Sequence, residues 1–261
     1  MHAPNYNIPQ LPDRSNKPRA RGLTMAMDKG LSVRQAEDFI SVCAPYVDFI
    51  KLGWSTSYAT PHLKEKLAVY KAADIPVYFG GTLLEVFIAR KAVDDYLRLL
   101  DTFGIDTVEV SDGSLTMSRE EKLGYIRRMV AAERRVLSEV GSKDAEKVLT
   151  AHQWVEYIKQ EMQAGSSYVI TEAREGGNVG VFRNTGEVRG GLIETILHDV
   201  PHAAERVLFE APKKEQQVYF IKLLGTEVNL GNIAPEEVIG LETLRLGLRG
   251  DTFHTFLKGS H

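Results

Sequence analysis

Short apolar runs alternate with amphipathic stretches along most of the chain. The apolar runs are rich in Val, Ile, Leu and Phe and end in Gly, Asp, Glu or Asn, a pattern typical of buried parallel strands. They begin near residues 24, 47, 76, 106, 135, 167, 206 and 226. Their mean spacing, about 29 residues, is close to the roughly 30 residues of one strand–helix–strand unit. Eight evenly spaced units predict one α/β domain with the (β/α)8 architecture of a TIM barrel.

The intervening stretches carry the signals of helix ends. Ser32 with Gln35 and Ser118 with Glu121 each form a capping-box pattern, in which two side chains satisfy free backbone amides at a helix start. Glycine follows several predicted helices, where a left-handed residue can end them, at Gly104, Gly165 and Gly225. The alternation therefore combines predicted strands with predicted amphipathic helices.

Two architectures permit this alternation, a closed barrel and a doubly wound open sheet. The even spacing favours the barrel, because open sheets seldom hold eight regularly spaced parallel strands in one domain. Residues 1–20 contain four of the ten prolines and are predicted to form an extended N-terminal arm, with residues 21–261 as the single barrel domain. The glycine-rich stretch 173–191 shows no helical period and predicts either a flexible loop on the active face or a plain surface excursion.

Composition narrows the class of protein further. The chain has 261 residues and a net charge of −3, which gives no electrostatic reason to expect nucleic acid or an anionic membrane as partner. Its single cysteine, Cys43, excludes an internal disulfide and a cysteine-rich zinc site. No apolar stretch approaches the roughly 18 residues that span a bilayer, and the first residues lack a secretory pattern. We therefore expect a cytoplasmic protein without nucleic-acid or membrane partners.

Charged and amide side chains follow nearly every predicted strand. The carboxyl ends of barrel strands converge on one face, where barrel enzymes place their active sites. Charged groups are costly to bury unless they are paired or hold a metal. This set of strand-end residues therefore favours a functional site. Carboxylates without His or Cys suit a hard cation such as Mg²⁺, whereas Lys and Arg suit an anionic substrate. The strand-end residues include Asp28, Lys29, Lys51, Glu109, Asp112, Glu139, Glu172, Arg174, Glu210 and Asn232.

Seven short runs also resemble a known family. In chain order they are MDKG, KLGWSTS, YFGGT, EVSDGS, EVGSKD, EAREGG and VNLGNI. Together they resemble the phosphosulfolactate synthase family of (β/α)8 barrels over residues 17–253. The resemblance implies a lyase that uses Mg²⁺ to add sulfite to phosphoenolpyruvate, giving (2R)-2-phospho-3-sulfolactate. It leaves open whether the product serves coenzyme M synthesis or sulfolactate formation in spore-forming bacteria.

The implied chemistry suggests which residues bind the metal. The attack of sulfite on C3 sends electrons into the substrate carboxylate, where a divalent cation is the strongest available stabiliser. We expect Glu109, Glu139 and Glu172, from three adjacent strands, to bind Mg²⁺, with Asp28 and Asp112 in reserve. Strand parity is not fixed by the sequence, and a one-residue slip would turn any of these side chains away from the mouth.

The remaining expected roles concern the proton and the anionic groups. Lys143, in the EVGSKD run, is the candidate general acid that protonates C2. Barrel enzymes often bind phosphate through the loops after the seventh and eighth strands. The expected substrate-binding residues are Lys29, Lys51 and Arg174, which supply charge, and Gly231 and Asn232 at the phosphate. We also expect the chain to form a homo-oligomer.

Two other functions stay open. A Schiff-base aldolase would use Lys51 or Lys143 as its nucleophile. A non-catalytic, stress-associated barrel of the same family would need no active site, and family membership alone does not guarantee catalysis. The set of acidic and basic strand ends favours an enzyme over the non-catalytic barrel.

Overall fold

The computed structural model describes residues 5–141, 149–174 and 176–257. Within them, strands and helices alternate along the chain. The strands are β1 (Thr24–Asp28), β2 (Phe49–Leu52), β3 (Val77–Phe79), β4 (Thr107–Val110), β5 (Arg135–Val140), β6 (Tyr168–Thr171), β7 (Val207–Glu210) and β8 (Leu230–Ile233). The α-helices are α1 (Val33–Cys43), α2 (Thr56–Ala59), α3 (Leu63–Ala72), α4 (Gly81–Ala89), α5 (Val93–Phe103), α6 (Arg119–Ala131), α7 (Ala151–Ala164), α8 (Gly190–Asp199), α9 (Ala203–Arg206), α10 (Lys214–Leu224) and α11 (Val238–Arg245).

Eight parallel strands form one nearly closed barrel in the order β3-β2-β1-β8-β7-β6-β5-β4. Strands β3 and β4 lie side by side, although no ladder pairing joins them in the described part of the chain. The Gly81 amide crosses this seam and donates a 2.7 Å hydrogen bond to Oε1 of Glu109. The (β/α)8 prediction is therefore confirmed, and the open-sheet alternative is not.

The predicted helix ends are also present. Ser32 with Gln35 caps α1, and Ser118 with Glu121 caps α6, each through a complete capping box. Gly104 and Gly165 end α5 and α7 in the left-handed conformation. The contacts that begin and end these helices join residues close in sequence, so the sequence pattern was sufficient to predict them.

Apolar side chains form two layers of core. The smaller cluster fills the barrel interior and consists of Leu23, Met25, Phe49, Tyr78, Leu137, Ile170 and Leu208. A larger cluster packs between the strands and the surrounding helices. A Cβ atom on Gly231 would lie 2.3 Å from Cδ2 of Leu208 and 2.7 Å from Cε of Met25. Gly231 therefore faces the filled interior, where there is no room for a side chain.

The N-terminal residues 5–20 contain no helix or strand and contact the amino-terminal side of the barrel. Arg14 pairs with Glu242 at 3.0 Å, and Arg19 pairs with Asp48 at 3.1 Å. The division into an arm of residues 1–20 and a barrel of residues 21–261 stays a prediction. No helix in the described residues has the length and apolar character needed to cross a bilayer.

Arg245 joins β1 and β8 at the amino-terminal face. Its side chain is fully buried. The guanidinium donates hydrogen bonds to the carbonyl oxygens of Thr226 at 2.6 Å, Val228 at 2.7 Å and Leu23 at 3.1 Å. The planar guanidinium group of arginine has five N–H donors in a fixed arrangement, so it can bind several carbonyl oxygens at once.

We predict that Arg245→Met lowers the free energy of unfolding by about 2 kcal/mol, because the buried carbonyl groups of Thr226 and Val228 would lose this donor, whereas that of Leu23 keeps the Leu230 amide. The partly exposed Arg249, on the same segment, is the control, and Arg249→Met should change stability by less than about 0.5 kcal/mol. Urea titration followed by circular dichroism measures both variants. Equal stability losses in the two variants would contradict the role given to Arg245.

Candidate active site

A cavity of about 460 Å³ opens at the carboxyl ends of the barrel strands. Its charged and amide lining consists of Lys51, Glu109, Glu139, Glu172, Arg174, Glu210 and Asn232. Each of these residues lies within one residue of the carboxyl end of a different strand, except Glu172 and Arg174, which both follow β6. The cavity therefore occupies the face where barrel enzymes carry out their chemistry.

Strand parity turns the charged residues inward. Side chains alternate between the two faces of a strand, so residues two positions apart share a face. Phe49, Leu137, Ile170 and Leu208 belong to the apolar cluster inside the barrel, and Lys51, Glu139, Glu172 and Glu210 come two residues later. The charged layer thus lies directly above the apolar interior, which sets the parity that the sequence had left open.

The ammonium group of Lys51 is the central cation of this layer. Its Nζ atom lies 2.9 Å from Oε2 of Glu109, 3.4 Å from Oε1 of Glu210 and 3.7 Å from Oε2 of Glu139. Burial lowers the pKa of Lys51, but the carboxylates of Glu109, Glu210 and Glu139 outweigh it and raise the pKa well above its ordinary value. Lys51 therefore stays protonated.

Three carboxylates converge on one point of the cavity. Glu139, Glu172 and Glu210 each offer an oxygen atom, and these oxygens lie within 4.8 Å of one another. All three side chains are buried, and they come from the neighbouring strands β5, β6 and β7. Oxygen atoms of this kind are the ligands that Mg²⁺ prefers. The geometry is thus suited to a divalent cation.

Glu109 is engaged differently from this cluster. One carboxylate oxygen accepts the Gly81 amide across the seam, and the other pairs with Lys51. The structure therefore brings together two of the expected metal ligands, Glu139 and Glu172, and adds Glu210 as the third. The metal set itself stays a hypothesis, with Glu210 in the place that the sequence analysis gave to Glu109.

The environment of Glu210 disfavours its negative charge. Burial is the largest cause and raises its pKa to about 7. Lys51 acts in the opposite direction, as does a 2.9 Å hydrogen bond from the Ala173 amide, whereas Glu139 and Glu109 raise the pKa further. Glu210 therefore titrates near neutral pH in the cation-free protein.

Asn232 lies in a bulge of β8. The pairing of β1 with β8 shifts register between Thr24 and Ala26, which face Leu230 and Ile233. Asn232 adopts a left-handed φ of 57° within this irregular segment. The residue is 7% exposed, and Oδ1 has no hydrogen-bond partner in the described part of the chain. A bulge re-aims the side chain it carries, and here it places an amide in the wall of the cavity.

The other expected substrate residues have different positions. Arg174 lines the cavity in a left-handed conformation. Lys29 is exposed, with its Nζ atom 5.1 Å from the ring centre of Trp54, which also lines the cavity. Gly231 lies inside β8, paired with Glu210, so it is part of the strand rather than of a phosphate-binding loop. Lys143 lies outside the described residues.

The two reserve carboxylates bind other partners. Asp28 pairs with Lys66 at 2.8 Å, and its Oδ2 accepts a 2.9 Å hydrogen bond from the Tyr70 hydroxyl. Asp112 pairs with Lys122 at 2.8 Å. Neither lines the cavity. Both carboxylates therefore pair with buried lysines of the surrounding helices and do not join the acidic group in the cavity.

Glu85 is a polar residue of the site region that the sequence reasoning missed. It is buried on α4 and accepts hydrogen bonds from the Ser111 hydroxyl and from the amides of Ser114 and Leu115. These contacts shape the loop after β4, from which Ser114 reaches the cavity. The sequence did contain a signal for this residue, because Glu85 is the only charged residue in the apolar run GTLLEVFIA.

The fold and this cavity together define a barrel enzyme with a buried, acid-rich site. The family model described as (2R)-phospho-3-sulfolactate synthase (ComA) matches residues 12–251. The phosphosulfolactate synthase of Bacillus subtilis is 44% identical over 247 residues, covering 94% of this chain and 97% of that protein. The one from Methanocaldococcus jannaschii is 44% identical over 238 residues, covering 89% and 94%. The chain belongs to the phosphosulfolactate synthase family.

Solved structures of lower identity share the fold. The 3-hexulose-6-phosphate synthase of Salmonella typhimurium superposes with a TM-score of 0.57 at 14% identity, covering 87% of this chain and all of that one. A phosphonopyruvate hydrolase complex with oxalate and Mg²⁺ gives a TM-score of 0.56 at 14% identity, covering 85% and 78%. At such identities the likeness concerns the barrel alone.

We predict that Glu210→Gln changes how stability depends on pH in the cation-free protein. The pKa of Glu210 is raised in the folded state from 4.5 to about 7. The stability it contributes is therefore fully present below pH 4.5 and is lost as the pH rises through 7. The stability of the glutamine variant relative to the wild type should therefore rise by about 3 kcal/mol between pH 4.5 and neutral pH.

Urea titrations from pH 4.5 to 8 in the presence of a chelator measure this difference. Glu215→Gln, an exposed position at the start of α10, is the matched control and should track the wild type at every pH. A constant difference between Glu210→Gln and the wild type across the range would show that Glu210 does not carry a raised pKa.

Proposed function

We propose that this chain adds sulfite to phosphoenolpyruvate in a Mg²⁺-dependent reaction that yields (2R)-2-phospho-3-sulfolactate. Membership of the family supports the reaction class. The observation that carries the proposal is the convergence of Glu139, Glu172 and Glu210 in the cavity at the strand ends. A homo-oligomeric state and a cytoplasmic location belong to the same proposal.

The residues of the cavity fit a hard divalent cation. Glu139, Glu172 and Glu210 would hold it, because three buried carboxylates with oxygen atoms within 4.8 Å of one another repel, and a divalent cation between them would relieve that repulsion. When bound, the cation stabilises the negative charge that develops on the substrate carboxylate. The same carboxylates and the walls of the cavity would fix the orientation of the substrate.

The reaction requires one bond to form and one proton to arrive. The sulfur lone pair of sulfite forms the C–S bond at C3, the electrons of the C2–C3 double bond move to C2 and into the carboxylate, and a proton is then delivered to C2. We assign that proton to the ammonium group of Lys143. Arg174 and Lys29, at the rim, would attract the anionic substrates.

Asn232 and Lys51 have supporting roles in this proposal. The amide of Asn232 would donate a hydrogen bond from Nδ2 to an oxygen atom of the anionic substrate, because this side chain lies in the cavity wall. Lys51 would hold Glu109, Glu139 and Glu210 in place through its ion pairs. Its raised pKa makes it a poor nucleophile, which argues against a Schiff-base aldolase that uses Lys51.

We predict that the purified protein forms a sulfonated product from phosphoenolpyruvate and sulfite when Mg²⁺ is present. Glu172→Gln should reduce turnover at least about 100-fold, since even changes outside the metal ligands typically cost 10–100-fold. The matched control is Glu242→Gln, a buried carboxylate that pairs with Arg14 far from the cavity. Mass spectrometry of the product measures all three proteins.

The same assay separates the alternatives. A wild-type protein that forms no product with Mg²⁺ would favour the non-catalytic barrel of the family. Covalent trapping of a carbonyl substrate with borohydride would favour the aldolase, because sulfite addition needs no imine.

We predict that Lys143→Ala lowers kcat by about 100-fold or more, the usual contribution of a positioned general acid. Divalent-cation affinity should stay unchanged, because the variant retains Glu139, Glu172 and Glu210. Steady-state kinetics and Mn²⁺ titration measure the two quantities on the same preparation. Wild-type turnover in Lys143→Ala would assign the proton to another group.

A further inference from the structure

A buried cluster of charges lies behind β5, outside the cavity. The Lys122 cluster consists of Lys122, Asp112, Glu161 and Arg119. The Nζ atom of Lys122 lies 2.8 Å from Asp112 and 3.0 Å from Glu161, and Arg119 lies 2.6 Å from Glu161. The side chains of Lys122 and Glu161 are 1% and 0% exposed. Two cations and two anions give the cluster no net charge.

Lys122 also contacts the backbone of a site residue. Its ammonium group donates a hydrogen bond to the main-chain carbonyl oxygen of Glu139. Glu139 is the penultimate residue of β5, and its carboxylate belongs to the acidic group in the cavity. One side chain therefore connects α6, the loop after β4, α7 and the end of β5.

Stability alone does not account for this arrangement. Well-packed apolar side chains of the same volume are often as stabilising as a buried ion pair, because removing charges from water is costly. The contact that an apolar side chain could not replace is the hydrogen bond to the Glu139 carbonyl. Burial lowers the pKa of Lys122, but Glu161 and Asp112 outweigh it and raise the pKa, so the donor stays charged.

We propose that Lys122 is a positioning residue that fixes the end of β5 and thereby aims the Glu139 carboxylate at the divalent cation. This inference rests on the proposed function, because it assumes that the acidic group binds a cation. Lys122 itself lines no part of the cavity around Glu139 and acts through the backbone. Groups that orient metal ligands in this way typically contribute 10–100-fold to metal affinity.

The barrel contains a matched control for the inference. Lys66, on α3, is also fully buried and pairs at 2.8 Å with the strand-end carboxylate of Asp28. Strand β1, which ends in Asp28, is four positions from β5 in the barrel order and so lies across the barrel from it. Lys66→Met and Lys122→Met each remove one buried ion-paired lysine, but only the second disturbs Glu139.

The experiment measures the dissociation constant for Mn²⁺ by calorimetry, together with thermal unfolding without metal. Lys122→Met should bind Mn²⁺ 10–100-fold more weakly than the wild type, whereas Lys66→Met should stay within about twofold of it. Both variants should lose thermal stability, because each removes the cation from a buried ion pair. If Lys122→Met does not fold, the double variant Lys122→Met/Glu161→Gln takes its place, since it removes the same donor to the Glu139 carbonyl together with the negative charge that paired with it.

The possible outcomes separate this inference from the proposed function. Wild-type Mn²⁺ affinity in Lys122→Met, or in the double variant where that replaces it, overturns the positioning role and leaves the metal site intact. An equal loss of affinity in Lys66→Met also overturns it, because the effect would then follow from general destabilisation. Failure of the wild type to bind Mn²⁺ overturns the metal assignment and the inference together.

Discussion

The ammonium group of Lys51 lies among the carboxylates of Glu109, Glu210 and Glu139 at 2.9–3.7 Å, inside a barrel whose lower interior is apolar. Among the described residues that line the cavity, four glutamates outnumber the cations Lys51 and Arg174, so this end of the barrel carries an excess of negative charge. Burial of that charge is costly without a partner. The arrangement persists because Lys51 offsets part of the repulsion, and the remaining excess makes the mouth suited to a divalent cation.

The same constraint connects the site to the closure of the barrel. Strands β3 and β4 have no ladder pairing in the described residues, and Glu109 spans the seam by accepting the Gly81 amide while it pairs with Lys51. A Cβ atom at Gly81 would lie 2.1 Å from Oγ of Ser111, so only glycine permits this approach. A charged side chain of the site thus also bridges the seam of the barrel. At this seam, side-chain contacts take the place of backbone pairing. Glu109 can therefore contact both Gly81 at the start of α4 and Lys51 of β2.

Fold and function are separable in this molecule. Solved barrels at 14% identity share its architecture, with chemistries as different as those of a hexulose phosphate synthase and a phosphonopyruvate hydrolase. The relatives at 44% identity share nearly the whole chain. Family membership therefore rests on the sequence, and the proposed chemistry rests on which side chains the barrel brings to its mouth.

The sequence alone determined the barrel, its repeat and its helix ends, because strand spacing and the capping patterns at Ser32 and Ser118 are local signals. It also identified the strand ends as the place of the polar residues. Only the tertiary structure decided that Glu210 joins Glu139 and Glu172, while Glu109 bridges the seam. These glutamates follow similar strands, and what distinguishes them is contact with residues distant in the chain. Such contacts are set by strand parity and packing, which no local pattern records.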